Sequence, residues 1–127
     1  MKKYQGSCHC NAVQFEITST LAEGIICDCS ICRRKGAIMV PVDEGDFHLL
    51  SGAQALNCYR FHTHNARHYF CRHCGIYTHH KRRRDDKFAV NLGCLEKASK
   101  TDLDSIVFFE GRKLTSSGLK NHLCGQN

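Results

Sequence analysis

The chain of 127 residues predicts an all-β fold with a small helical content. Three observations carry that reading. Short runs of β-branched, aromatic and other apolar residues recur roughly every 8 to 12 residues between turn-forming residues, the spacing of a sheet protein. No stretch keeps the apolar period of a long amphipathic helix. Ten cysteines, most in closely spaced groups, point to a modest core that is stapled together.

The elements follow in order. Val13, Phe15 and Ile17 alternate with Gln14, Glu16 and Thr18, which predicts a half-buried strand. Before it, Gly6-Ser7-Cys8-His9-Cys10-Asn11-Ala12 reads as a bend carrying two thiols, eased by Gly6. Gly24-Ile25-Ile26-Cys27 is a short strand running into Cys27-Asp28-Cys29-Ser30-Ile31-Cys32. Ser30 is placed to cap a helical turn over Ile31 to Lys35, stopped by Gly36. Ala37 to Val42 reads as a buried strand containing the only proline, Pro41. Phe47 to Leu50 and Asn57 to Phe61 are further strands around a Ser51-Gly52 turn. Arg67 to Phe70 leads into Cys71-Arg72-His73-Cys74-Gly75, and Ile76 to His79 leads away. Lys81 to Lys87, seven consecutive charges, reads as a solvated hairpin tip. Phe88 to Leu92 and Ile106 to Phe109 are apolar enough for core strands. We read one domain over 1–127, with a core at about 4–112 and a loosely held polar tail at 113–127.

Composition narrows the class. The run Met1-Lys2-Lys3-Tyr4-Gln5-Gly6 has no apolar segment after its basic residues, so no secretory signal is visible. No run of 18 apolar residues offers a membrane span. The cysteines are therefore read as ligands in a cytoplasmic zinc protein rather than as a disulfide scaffold. The formal charge of +6 counts every thiol as neutral. One four-thiolate and one three-thiolate zinc site would lower it by about 3, which leaves little drive toward a nucleic acid and suits a small anionic partner.

Seven cysteines group by spacing as Cys8-x-Cys10, Cys27-x-Cys29-x-x-Cys32 and Cys71-x-x-Cys74. A C-x-x-C pair followed by glycine turns backbone N–H groups toward two thiolates, the form of a zinc knuckle. It needs two more ligands, and Cys8 and Cys10 can supply them. Cys27, Cys29 and Cys32 are then a second group of three, and a zinc ion held by three ligands keeps a position for water or substrate. Two other readings stay open. A distant fourth ligand could come from Cys58, Cys94 or one of nine histidines, or the triple could be a redox dithiol. His9 and His73 lie between ligands and are expected to face outward, His62 and His64 could line a pocket near the second site, Cys58 and Cys94 read as core thiols, and Cys124 sits idle in the tail.

These motifs, Gly6-Ser7-Cys8-His9-Cys10-Asn11-Ala12-Val13-x-Phe15, Cys27 to Ala37, His68-x-Phe70-Cys71-Arg72-x-Cys74-Gly75 and Val90-Asn91-x-x-Cys94-Leu95-Glu96, resemble the glutathione-dependent formaldehyde-activating enzyme family, which also includes the centromere protein V type domain. The resemblance spans roughly residues 4 to 112. It implies an Mss4-like fold of coiled antiparallel sheets stapled by zinc. It also implies a structural zinc on Cys8, Cys10, Cys71 and Cys74, and a catalytic zinc on Cys27, Cys29 and Cys32. The implied activity is carbon–sulfur lyase chemistry, joining glutathione to formaldehyde to give S-(hydroxymethyl)glutathione. Relatives often carry Gly where Asn11 stands, and many carry a C-terminal tryptophan that this chain lacks.

Read from the residues, a thiol taken into the open position would lose its proton there, and its thiolate could attack an aldehyde placed beside it. Arg33, Arg34 and Lys35 could pair with substrate carboxylates or could be a solvated helix end. The competing class is a zinc-stapled, non-catalytic module that binds nucleic acid or protein. It predicts basic residues interleaved with stacked aromatics, whereas the Lys81 to Lys87 run is half neutralised by Asp85 and Asp86.

Overall fold

The structure, a computed structural model, describes residues 1–61, 66–82, 85–114 and 121–123. Two sheets form. The smaller has the order β1-β2-β5, from β1 (Lys2–Ser7), β2 (Gln14–Ser19) and β5 (Phe47–Ser51). The larger runs β10-β3-β4-β9-β8-β7-β6-β11, from β3 (Glu23–Cys27), β4 (Met39–Val42), β6 (Leu56–Phe61), β7 (Arg67–Cys71), β8 (Tyr77–Lys81), β9 (Phe88–Asn91), β10 (Ser105–Phe109) and β11 (Asn121–Leu123). The single α-helix among the described residues, α1 (Cys32–Lys35), is one turn long. This is the all-β architecture that the sequence predicts, consistent with an Mss4-like fold. Every strand pairing is antiparallel except that of β10 with β3, which is parallel.

The alternation read in the sequence decides which face of β2 turns inward. Phe15 and Ile17 are fully buried, and with Leu21, Val40, Val42, Val90, Leu92, Cys94 and Leu95 they form the main core. Burying such side chains contributes about 1.5–3 kcal/mol each. Pro41 is tolerated in β4 because β3 meets that strand only at Ile25–Met39, leaving Pro41 paired on one side, with Ala89.

Several local expectations change. Residues Lys2–Ser7 form strand β1, with Gly6 inside it rather than at a bend. Gly6 is required for another reason: a Cβ there would lie 2.3 Å from the Phe15 ring. Chain reversal falls instead on Asn11, at φ 68°, a left-handed conformation that asparagine tolerates and glycine adopts freely. Strand β10 is an edge strand and not core, with Phe108 76% exposed. Within the polar tail, Asn121–Leu123 pairs with β6, so that part is held to the sheet. Cys58 is disulfide-bonded rather than a core thiol, and its position on β6 is only half-buried. Cys94 is buried as read, donates its S–H toward the Tyr77 carbonyl at 3.5 Å, and is pushed up to about 12 by burial. Cys124 lies outside the described residues, as do Arg83 and Arg84 of the charged run.

His79 adds an acid sensitivity to this core. Its ring stacks on Tyr69 at 4.6 Å and lies 4.5 Å from Phe47, and Nδ1 pairs with the Thr78 hydroxyl at 2.8 Å. Burial pushes its pKa from 6.5 down to about 3. The unfolded chain therefore binds this proton across a pH window in which the folded chain does not, and stability falls as pH drops from 6.5 toward 3. Between pH 6.5 and 5 the loss from this residue is about 2 kcal/mol. His79→Phe keeps an aromatic stack and should lose less stability over that interval by urea unfolding. An unchanged loss would show that His79 does not carry the effect.

Candidate metal centres

The first thiol cluster is assembled from two turns. Cys8 and Cys10 follow β1, Cys71 ends β7, and Cys74 lies in the turn before β8. Their sulfur atoms all fall within 4.8 Å of one another. Cys10 Sγ lies 3.7 Å from both Cys8 Sγ and Cys71 Sγ. A tetrahedral ion with metal–sulfur bonds of about 2.3 Å requires sulfur pairs about 3.8 Å apart, so the set fits a metal ion. The backbone supports the same reading. Val13 N–H donates to Cys8 Sγ at 3.3 Å and His73 N–H to Cys71 Sγ at 3.4 Å, while Gly75, at φ 78°, closes the knuckle with its N–H on the Cys71 carbonyl. The Ile76 N–H, foremost, draws the Cys74 thiol down to about 6. His9 and His73 are exposed, as expected. Cys8 and Cys71 pack with Val13 and Ala55 into a second small core, so the cluster ties the β1–β2 turn to the β7–β8 turn.

The second cluster is local. Cys27 ends β3, Cys29 follows in the turn, and Cys32 opens α1, with all three sulfur atoms within 4.8 Å. Among the described residues no histidine, carboxylate or further cysteine joins this group. The capping expected from Ser30 is absent. Ile31 occupies the N-cap position, and the Cys32 N–H points at Cys29 Sγ, 3.3 Å away. Gly36 does stop the helix, at φ 64°. Hydrogen bonds from the Cys27 and Cys32 thiols, then from the Cys32 and Ile31 N–H groups, draw the Cys29 thiol down to about 2, against the effect of burial. The cluster therefore favours a sulfur anion at its centre, the form that binds metal.

A cavity of about 110 Å³ opens beside the triple, lined by Cys27, Cys29 and Cys32 together with His68, His80 and Arg82. Apolar residues including Ile25, Met39, Phe61 and Ala89 complete its walls. His62 and His64, placed near this site by the sequence, lie outside the described residues.

The basic triplet after the cysteines divides. Arg33 and Arg34 are exposed, while Lys35 turns inward. Lys35 Nζ lies 3.0 Å from His68 Nδ1 and 3.5 Å from the centroid of the Tyr77 ring. Burial lowers its pKa to about 8, opposed by the thiols of Cys32, Cys29 and Cys27. The Tyr77 hydroxyl is hydrogen-bonded to His80 Nδ1. Burial, helped by Lys35, holds His80 well below the usual histidine range, so it is neutral.

Gly111 is a site residue with no local motif to announce it. A Cβ at Gly111 would lie 2.2 Å from Cys27 Sγ and 2.9 Å from Cys29 Cβ, so this backbone closes one side of the triple. The Asp28 carboxylate fixes the approach by accepting the Arg112 N–H at 3.0 Å. Gly111→Ala should push the sulfur atoms apart. The expected result is loss of about one metal ion per chain by elemental analysis, with the first cluster still loaded.

Comparison with known proteins agrees with this geometry. A crystal structure of a Rhodobacter sphaeroides protein superposes with a TM-score of 0.74 at 41% identity, covering 81% of this chain and 99% of that one. The family model described as glutathione-dependent formaldehyde-activating enzyme matches residues 3–111, which include both cysteine clusters and Gly111. The chain therefore belongs to the glutathione-dependent formaldehyde-activating enzyme family.

Proposed function

We propose that this protein is a zinc-dependent carbon–sulfur lyase-type enzyme, similar to S-(hydroxymethyl)glutathione synthase. It acts on a small thiol such as glutathione and an aldehyde. In this reading Cys8, Cys10, Cys71 and Cys74 hold a structural zinc, and Cys27, Cys29 and Cys32 hold a catalytic one. Clustered thiolates are the donor chemistry that zinc prefers. The observation that carries the proposal is a three-sulfur cluster in the wall of a cavity, with no fourth protein ligand among the described residues.

A zinc ion held there would offer a position to the substrate thiol and favour its ionised form. The chain's own residues supply the rest. Cys27, Cys29 and Cys32 fix where the thiol sulfur sits, and Ile25, Met39, Phe61 and Ala89 keep water away from the aldehyde. The reaction balances without a further reagent. The sulfur forms a bond to the carbonyl carbon, the π pair moves to oxygen, and the thiol's proton finishes on that oxygen. Holding both partners together provides much of the gain. Exposed Arg33 and Arg34 are available for the carboxylates of a glutathione-like substrate.

The charged hairpin supports a small partner over a nucleic acid. Arg82 pairs with Asp85 at 3.0 Å and Lys87 with Asp43 at 3.4 Å, so part of the run is neutralised within the fold.

The test is to measure zinc per chain and then follow exchange between glutathione plus formaldehyde and their adduct by NMR. Two ions, one per cluster, and accelerated exchange are expected. A single ion, or uncatalysed rates across a panel of thiols and aldehydes, would return the chain to the class of binding modules.

A further inference from the structure

The Gly111 backbone lies against the cysteine triple although the sheet does not carry it there. Strand β10 ends at Phe109, at the edge of the large sheet. Among the described residues its one neighbouring strand is β3, whose last residue, Cys27, is the register partner of Phe109. Beyond that pair the chain leaves the sheet. Gly111 is nevertheless buried, lines the cavity, and leaves no room for a methyl group against Cys27 Sγ.

Asp28 supplies the hold. It stands between Cys27 and Cys29 in the chain and grips the following segment on both sides of Gly111. Its backbone N–H donates to the Phe109 carbonyl at 3.2 Å, and its carboxylate accepts the Arg112 N–H at 3.0 Å. Arg112 Nε lies 3.6 Å from the other carboxylate oxygen, but with the two side chains 75% and 43% exposed this ion pair contributes little. A carboxylate between two thiolates adds negative charge to a cluster that already gathers it, so charge does not favour an aspartate there. Its hydrogen bond to the Arg112 N–H does, because an ionised acceptor makes that bond stronger than a neutral one.

We propose that Asp28 is the positioning residue of the thiol site: it holds Phe109 and Gly111 as the wall that closes one side of the cysteine triple and leaves the cavity side to the thiol. This rests on the function proposed above. With the wall in place, water is kept from the Gly111 side of the cluster, and an incoming thiol meets the triple with Phe109 in the lining beside it. With the wall released, water competes with the thiol on that side, and the thiol is held less tightly. The metal-binding sulfurs are unchanged by this, since Asp28 is not a member of the cluster.

Amide exchange and cobalt substitution test the inference. By NMR, the Arg112 N–H should exchange slowly in the wild type and in Asp28→Asn, whose amide oxygen can still accept it, and fast in Asp28→Ala. In protein loaded with two cobalt(II) ions, glutathione entering the second cluster adds sulfur-to-cobalt charge-transfer absorption. By that signal Asp28→Ala should keep both ions and bind glutathione about 10-fold more weakly, the worth of one hydrogen bond to a charged acceptor. Asp28→Asn should recover most of the affinity, and Arg112→Ala, which keeps the backbone N–H, should bind as the wild type does. Should Asp28→Ala not melt cooperatively, Asp28→Ser, with a side chain one bond shorter, takes its place. Wild-type affinity in Asp28→Ala at full cobalt content, loss of its second ion, or no recovery in Asp28→Asn overturns this inference alone. So does an Arg112→Ala protein as weak as Asp28→Ala. A wild-type cobalt protein whose spectrum no thiol changes overturns the proposed function and this inference with it.

Discussion

Cys71→Ser should abolish the cooperative thermal transition of this chain. Cys71 is fully buried, ends strand β7, and belongs to the four-sulfur cluster that also includes Cys8, Cys10 and Cys74. The cluster joins turns far apart in sequence, one from the small sheet and one from the large. A bound structural zinc is worth about 10–16 kcal/mol in small domains, against a total stability of about 5–15 kcal/mol. Removing one of four ligands at its buried end should therefore leave little net stability, and a chelator should act alike on the wild type. Cys94→Ser is the contrast. That sulfur is buried in the main core, outside both clusters, and the serine hydroxyl can still reach the Tyr77 carbonyl, so about 1–2 kcal/mol is expected. Circular dichroism melts on both variants check the pair. A Cys71→Ser protein that melts within a few degrees of wild type would show that the cluster holds no structural metal.

Much of this architecture was legible because its determinants are local. The alternation of Phe15 and Ile17 with polar neighbours fixes which face of β2 is buried, and the cysteine spacings mark two pairs and a triple, of which the structure brings the two pairs together. Strand β1 was not legible, because Lys2–Ser7 is polar and its strand state comes from pairing with β2. Ile106 to Phe108 reads as core by composition, yet β10 lies at a sheet edge, a matter of topology that hydrophobicity does not record. The site shows the same division. Its sulfur atoms lie in recognisable motifs, whereas Lys35 differs from Arg33 and Arg34 only in the direction that one helical turn gives it. Tyr77 and His80 carry no spacing signal either, and they come to the site as half-buried residues because β8 lies inside the large sheet between β7 and β9. Gly111 is 79 residues from Cys32, and nothing near it in sequence signals the sulfur that its backbone approaches.

In Cys29→Ser, the loss of function should be complete while the fold survives. Cys29 is the middle sulfur of the triple, and the Cys32 N–H at 3.3 Å and the neighbouring thiols all stabilise negative charge on it. A serine oxygen in that place is shorter, harder and protonated at neutral pH, so it is a poor third ligand. The cluster would fall to two sulfurs, Cys27 and Cys32, too few to retain a zinc ion against solvent. The main core contains none of the three cysteines, and the four-sulfur cluster is built from other turns. Zinc content should thus drop from two ions to one, adduct exchange should fall to the buffer rate, and the melting temperature should move by only a few degrees. The two variants should separate the roles of the clusters, since Cys71→Ser removes the fold and Cys29→Ser removes the chemistry. A Cys29→Ser chain that exchanges adduct at the wild-type rate would place the chemistry away from this cavity. One that keeps two zinc ions would mean that the second cluster draws on a ligand outside the described residues, closing the position that the substrate thiol needs.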